Sequence, residues 1–297
     1  MNEKDRLPAL TDERYLRQLI SRHGFRFDKR LGQNFIVDPT VCPAIADSLG
    51  DVSDCGVLEI GPGVGVLTRE LSRRAKKVVS VEADATLLPI LSETLEGCSN
   101  VEVVYGDALE LDLAKLVDES FGGMRAMVAA NIPYSITSPL VVRLLETATP
   151  FCDGKRRLES LTLMLEKETA ARLASPVGTR EAGAVSAAVE YYSEPEILFG
   201  VPASSFMPAP KVDSVVARFR VREERAVFPQ DEKKLFRLIK ACYAQRRKTA
   251  ANSLSSALGV PRDTVATALG SIGAPPDVRA EQLTLAQLCE LSRSVGK

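Results

Sequence analysis

Histidine occurs once in the 297 residues, at His23, and no apolar run approaches the ~18–20 residues that span a bilayer. The six cysteines, Cys42, Cys55, Cys98, Cys152, Cys242 and Cys289, are scattered along the chain without a C-x-x-C pair. Each absence closes off a class of chemistry. Ser-His-Asp and Cys-His nucleophiles and His-ligated metals all need histidine beside a partner, and His23 lies in a basic, polar stretch away from any carboxylate motif. Scattered cysteines fit reduced thiols better than a disulfide frame or a zinc site, so no metal is expected. The polar start, Met1-Asn2-Glu3-Lys4-Asp5, has no apolar segment behind it, and the chain is expected to stay in the cytoplasm, with no membrane partner.

What is there is balanced overall and uneven locally. Lys+Arg number 38 against 39 Asp+Glu, for a formal net charge of -1. Cut near Arg222, the last part holds 13 basic and 8 acidic residues, and Lys233 to Lys248 contains seven basic residues and no acid. Arg14, Arg17, Arg22, Arg26, Lys29 and Arg30 form a second cluster facing Asp28 alone. Local positive patches on a near-neutral protein suggest a polyanion partner, because phosphate affinity follows the field at the contact surface.

From residue 57, short β-branched runs alternate with helical stretches. Strands are expected at 57–60, 78–82, 101–105, 126–130, 161–165, near Ala187 to Tyr192, and at 215–220, about seven in all. This alternation implies parallel βαβ units with helices on both faces. Beyond Phe228-Pro229 the leucine spacing turns helical, at Leu235, Leu238 and Ile239, then Leu254, Ala257 and Leu258, then Leu283, Leu285 and Leu288. The expected fold class is α/β, a Rossmann-like domain over residues 1–221 followed by a small all-helical domain over 222–297.

Glu59-Ile60-Gly61-Pro62-Gly63-Val64-Gly65 follows the first strand of this series and opens a helix, where open α/β sheets bind nucleotide-like ligands. The sixth position counted from Gly61 is Val66, and from Gly63 it is Thr68, so the third glycine of a dinucleotide fingerprint is missing. The E-x-G-x-G-x-G that stands here resembles the first motif of S-adenosylmethionine-dependent methyltransferases. Glu82 ends the next strand 21 positions after Gly61, placed to accept hydrogen bonds from two ribose hydroxyls. Asp107 ends the third, where an acceptor suits an adenine amino group. Taken singly, the glycines read as a tight turn and the acids as solvated loop residues.

Strand four runs into Asn131-Ile132-Pro133-Tyr134. The tetrapeptide resembles the (D/N/S)-x-P-(Y/F/W) motif of methyltransferases that modify exocyclic amino nitrogens. Such a nitrogen is a poor nucleophile, its lone pair being delocalised into the ring. Acceptors from the Asn131 side chain and the Ile132 carbonyl would favour a pyramidal nitrogen, Pro133 would fix the turn, and Tyr134 would stack on the base.

With these residues together, the sequence resembles the ribosomal RNA adenine dimethyltransferase family over nearly the whole chain from about residue 25. Residues 29–38, K-R-L-G-Q-N-F-I-V-D, match the family's N-terminal motif, which implies that Gln33, Asn34 and Ile36 reach the cofactor. Residues 206–214 match its F-x-P-x-P-K-V-x-S segment, which implies that Phe206 faces Tyr134 across the base. Gln245-Arg246-Arg247-Lys248 resembles the Q-R-R-K motif of a helical RNA-binding domain, and implies RNA contact through Arg246, Arg247 and Lys248. Ile132 stands where leucine is commoner, and Ala182 where an aromatic would be expected before glycine. The resemblance implies S-adenosylmethionine as cofactor. It also implies dimethylation of two adjacent adenosines near the 3′ end of small-subunit (16S) rRNA, in a pre-assembled 30S particle, by a monomer.

Competing readings are a 23S rRNA methyltransferase that confers antibiotic resistance and a non-catalytic ribosome assembly factor or transcription factor on the same fold. Residue by residue, Phe206 also reads as a core aromatic, Arg246 to Lys248 as a solvated helix face, and Gln33 with Asn34 as caps of a helix opening at Asp38-Pro39.

Overall fold

The computed structural model describes residues 9–28, 32–149, 154–245 and 248–295. It divides into two compact units, Met1–Ala170 with Glu196–Val221, and Ala171–Pro195 with Arg222–Lys297. Elements run in the order α1 (Glu13–Arg22), β1 (Phe35–Ile36), α2 (Val41–Ser48), β2 (Gly56–Ile60), α3 (Val66–Ser72), β3 (Lys77–Glu82) and α4 (Leu88–Thr94). There follow β4 (Val101–Tyr105), α5 (Leu113–Phe121), β5 (Ala126–Asn131), α6 (Thr137–Ala148), β6 (Ser160–Glu166), α7 (Lys167–Ala174) and α8 (Ala184–Tyr192). Last come β7 (Ser193–Val201), β8 (Phe206–Met207), β9 (Ser214–Val221), α9 (Glu232–Tyr243), α10 (Ala250–Leu258), α11 (Arg262–Ser271) and α12 (Leu285–Ser294).

The first unit is built on a seven-stranded sheet of order β4-β3-β2-β5-β6-β9-β7. Its central strands read as apolar runs because both faces are covered, and all five residues of β2 are buried. β2 pairs in parallel with β3 on one side and β5 on the other, so the strand order reverses there. Register aligns Ile60 with Val81 and with Ala130, and Glu82 with Tyr105, which brings the carboxyl ends of β2, β3, β4 and β5 to one edge. That edge, at the reversal, is where such sheets hold ligands. β9 is antiparallel to β6, opposing Ser214 to Glu166.

A second, two-stranded sheet pairs Phe35 with Met207 and Ile36 with Phe206 in antiparallel fashion. Side chains alternate along a strand, and here the alternation divides two cores. Ile36 and Phe206 pack with Val41, Ile45, Leu67 and Val216. Phe35 and Met207 pack with Leu16, Leu19, Phe25, Ile90 and Leu91. His23 Nε2 lies 2.8 Å from Glu93 Oε2, and Arg22 pairs with the same carboxylate. Arg17 pairs with Glu13, so two cations of the N-terminal cluster are neutralised within the fold.

The run at Ala187 to Tyr192 is not a strand. Those residues belong to α8, and the strand begins at Ser193. Ala184-Val185-Ser186-Ala187-Ala188 favours helix over strand, and the true strand is disguised by Pro195 and Gly200, which its position at the sheet edge tolerates. Residues Ala171–Pro195, α8 among them, group with Arg222–Lys297 in the second unit.

Within the second unit, Tyr191, Tyr192 and Phe236 form an aromatic cluster with ring centroids 4.8–5.6 Å apart. Both tyrosine hydroxyls donate to Glu232, at 3.0 and 2.8 Å, and Arg225 lies 3.4 Å from the same carboxylate. α9 buries Leu235, Leu238, Ile239 and Cys242 and exposes Lys233, Lys234, Arg237 and Lys240. No helix among the described residues is long and apolar enough to cross a membrane.

Candidate active site

The loop after β2 needs its glycines for the backbone. Gly61, Gly63 and Gly65 have φ of 69°, 59° and 88°, in the left-handed region that L side chains rarely adopt. A Cβ at Gly63 would also stand 3.3 Å from the Phe35 ring, and one at Gly65 3.1 Å from Leu95 and Thr94. The turn delivers the chain into α3, with Gly65 as its N-cap.

Two carboxylates anchor this loop. Glu82, 6% exposed, accepts from the Gly63 N–H at 3.2 Å and from the Asp84 N–H at 2.8 Å. Burial raises its pKa above the ordinary carboxylate value, opposed by those backbone bonds. Glu59, 1% exposed, accepts through one oxygen from Thr68 Oγ at 2.7 Å and Ser80 Oγ at 2.6 Å. Burial pushes Glu59 up to about 7, against the pull of the two hydroxyls, and the nearby Glu82 adds to the rise. In the sequence Glu59 is only the first letter of the E-x-G-x-G-x-G motif, with nothing to indicate its role. Its work is to tie β2 to α3 and β3, and the Thr and Ser that accompany it carry no recognisable signal.

Asp107 is exposed, and one of its oxygens closes the turn after β4 by accepting from the Leu109 N–H at 2.8 Å. Gln33 bridges, its carbonyl accepting from the Asp28 N–H at 3.1 Å and its amide donating to Asp84 at 2.6 Å. The Asn34 amide donates to the Gly32 carbonyl at 3.1 Å. Neither side chain caps α2, whose N-cap is Thr40.

Asn131 closes β5, and its amide donates to the Asn34 carbonyl at 3.3 Å. The Ile132 N–H donates to the Met164 carbonyl at 3.2 Å, Pro133 has φ −56°, and Tyr134 opens a single 3₁₀ turn. The half-buried Tyr134 shares a 2.6 Å hydrogen bond between its Oη and Ser214 Oγ. Phe206 is 4% exposed and belongs to the apolar core as well as to the site.

A single cavity of ≈ 170 Å³ is lined by Gln33, Asn34, Ile36, Gly61, Gly63, Glu82, Asp107, Asn131, Pro133, Tyr134 and Phe206, together with Glu59. Segments from Gln33 to Phe206 thus meet at the carboxyl edge of the sheet. Arg246 and Arg247 lie outside the described residues; Lys248 is exposed in the second unit and is not among the residues lining this cavity.

The family model described as ribosomal RNA adenine dimethylase matches residues 24–296. Ribosomal RNA small subunit methyltransferase A of Geobacillus thermodenitrificans (strain NG80-2) is 40% identical over 283 residues, 94% of this chain and 94% of that protein. The protein of the same name from Bacillus mycoides (strain KBAB4) is 41% identical over 283 residues, again 94% of each. Among crystal structures, a dimethyladenosine transferase from Plasmodium falciparum superposes with a TM-score of 0.70 at 26% identity, over 86% of this chain and 95% of that one. The 23S rRNA methyltransferase ErmE superposes with a TM-score of 0.63 at 28% identity, over 88% and 99%. Since the family match spans both units, and so extends well beyond the cavity, the chain as a whole belongs to the ribosomal RNA adenine dimethylase family.

Proposed function

We propose that this protein transfers methyl groups from S-adenosylmethionine to the exocyclic amino groups of two adjacent adenosines near the 3′ end of small-subunit (16S) rRNA, yielding N6,N6-dimethyladenosines during ribosome biogenesis. The observation that carries this reading is the meeting of Asn131-Ile132-Pro133-Tyr134 with the Gly61–Gly65 loop, Glu82 and Asp107 around one cavity. The cofactor fits the residues present: a left-handed glycine turn beside a buried carboxylate suits a ligand with a ribose, and Asp107 suits its base. Gln33, Asn34 and Ile36 would hold it from the N-terminal side. When bound, the cofactor supplies a methyl group on a positively charged sulfur.

The protein's part is to present the nucleophile. The Asn131 Nδ2 is committed to the Asn34 carbonyl, which leaves Oδ1 as the acceptor for an amino hydrogen of the target adenine. The Ile132 carbonyl is the second acceptor. Two acceptors draw the amino group towards a pyramidal nitrogen with its lone pair available, and their fixed positions lower the cost of reaching the transition state. These acceptors would hold the nitrogen towards the methyl group that a bound cofactor would supply, and the proton the nitrogen gives up on methylation would leave to solvent. Tyr134 and Phe206 take the two faces of the base once it has left its stack. Lys248, with Arg246 and Arg247, contacts rRNA phosphates.

The small-subunit substrate is favoured by relatives of that name at 40–41% identity, against 28% for the 23S enzyme. The substrate form is an assembled 30S particle, and the enzyme acts as a cytoplasmic monomer. Purified small and large subunits from cells lacking these modifications, incubated separately with radiolabelled S-adenosylmethionine, provide the test. Label in the small subunit supports the proposal; label confined to the large subunit would transfer the protein to the resistance enzymes, and binding without label would make it an assembly factor.

A further inference from the structure

We propose that Ser214 is a positioning residue for methyl transfer, holding the Tyr134 ring in the plane that receives the target base; this rests on the reading of Tyr134 as the stacking residue. Ser214 opens β9, is 1% exposed, and stands 2.6 Å from the Tyr134 hydroxyl. Its backbone is fixed from both sides. β-pairing sets it opposite Glu166, the preceding Asp213 carbonyl accepts from the Lys167 N–H at 3.1 Å, and the Asp213 carboxylate accepts from the Ala203 N–H at 2.9 Å.

Tyr134, by contrast, sits on a single 3₁₀ turn at the cavity wall and is half-buried. The bond gives the half-buried phenol and the buried serine a polar partner each. What it adds beyond that is orientation. It fastens the far end of the ring to a rigid strand while the near end hangs from the reactive tetrapeptide. Stacking that orients the amino nitrogen against the methyl loses its value if the platform tilts, and small misplacements of reacting groups are costly in rate. The same logic explains a serine at a buried strand start, followed along the strand by the buried Val215, Val216 and Ala217.

The test uses the full chain with Ser214→Ala, Ser214→Thr, Tyr134→Phe and the double variant Tyr134→Phe/Ser214→Ala. Single-turnover transfer is measured at saturating cofactor and saturating small subunits, cofactor affinity by calorimetry, and ring geometry by NMR of ring-¹³C tyrosine, the Tyr134 resonance being the one absent from Tyr134→Phe. Ser214→Ala and Tyr134→Phe should each slow transfer about tenfold, with the double variant no slower than either, because both remove the same bond. Cofactor affinity should be unchanged. The Tyr134 resonance should move in Ser214→Ala and return in Ser214→Thr together with the rate. A Ser214→Ala rate within about twofold of the parent, or a double variant slowed by the product of the single effects, would overturn the proposal. If the parent itself labels no small subunits, the functional reading fails, while an unmoved resonance in Ser214→Ala defeats the positioning role on its own.

Discussion

Single side chains decide whether the cavity binds and whether it reacts. Glu82 holds two backbone N–H groups of the loops it joins, so Glu82→Ala removes both the proposed ribose acceptor and the loop's anchor. Calorimetry should show S-adenosylmethionine affinity weakened by ~1–3 kcal/mol; unchanged affinity, or tight binding of NAD, would defeat the cofactor assignment. Glu59 makes a prediction about pH. Its carboxyl keeps its proton in the folded protein up to about 7, against an ordinary value of 4.5 in the unfolded chain. A raised carboxyl pKa means the folded state binds the extra proton, so stability is full at pH below the unfolded value and falls as pH rises through about 7, by roughly 3 kcal/mol at most. Glu59→Gln keeps an acceptor for Thr68 and Ser80 and has no proton to lose. Thermal unfolding between pH 5 and 8 should therefore slope downward in the parent and lie flat in the variant, whereas parallel curves would refute the assignment. Most of the cavity-lining residues were legible because each sits in a motif with fixed spacing. The roles of Thr68 and Ser80, and of Ser214 at the end of its motif, were not, since a buried hydroxyl leaves no pattern until its partner, nine to 80 residues away, is known.

Among the elements, the two-residue strands β1 and β8 are the least conspicuous and connect the most. They bring the N-terminal motif onto the segment carrying Phe206, and their alternating side chains lock into both cores. Just beyond them the Val37 N–H donates to the Ser205 carbonyl at 2.9 Å, and the Ser205 hydroxyl donates to Asp38 at 3.0 Å. Val37→Pro deletes the first of these bonds without changing β9 or the sheet. It should destabilise the protein by about 1 kcal/mol or more, and hydrogen exchange should quicken at 35–36 and 206–207 together. Quickening on one strand alone would mean the two do not form a unit. Pairing this short leaves no periodicity, which is why the sequence showed two motifs and not the sheet that joins them. The other longer strands and helices α9, α10 and α12 were read from their apolar spacing, while α1 and α11 were not singled out and α8 and β7 were misread. There the apolar pattern was seen at the right place, but helix-forming alanines and an edge strand carrying Pro195 and Gly200 reversed its meaning.

For the whole molecule, the near-zero net charge conceals a basic second unit. The outward face of α9 carries Lys233, Lys234, Arg237 and Lys240, and Lys248 is exposed beyond it. If this surface binds rRNA phosphates, changing Arg246, Arg247 and Lys248 together to Ala should lower small-subunit affinity and flatten its salt dependence, since each lost phosphate contact removes about one counterion from the slope. Cofactor affinity should stay as it was. A slope unchanged within error across a salt series would mark these residues as a solvated face. Whether the cavity dimethylates adenine amino groups through Asn131 is read from a nucleotide map of the rRNA of unmodified small subunits after incubation with S-adenosylmethionine and either the parent or Asn131→Ala. The parent should leave two adjacent N6,N6-dimethyladenosines near the 3′ end. The variant, with cofactor affinity retained, should leave those adenosines unmodified on the parent's timescale. Methylation at any other atom or base, or an Asn131→Ala chemical rate within about threefold of the parent, would contradict dimethylation through Asn131.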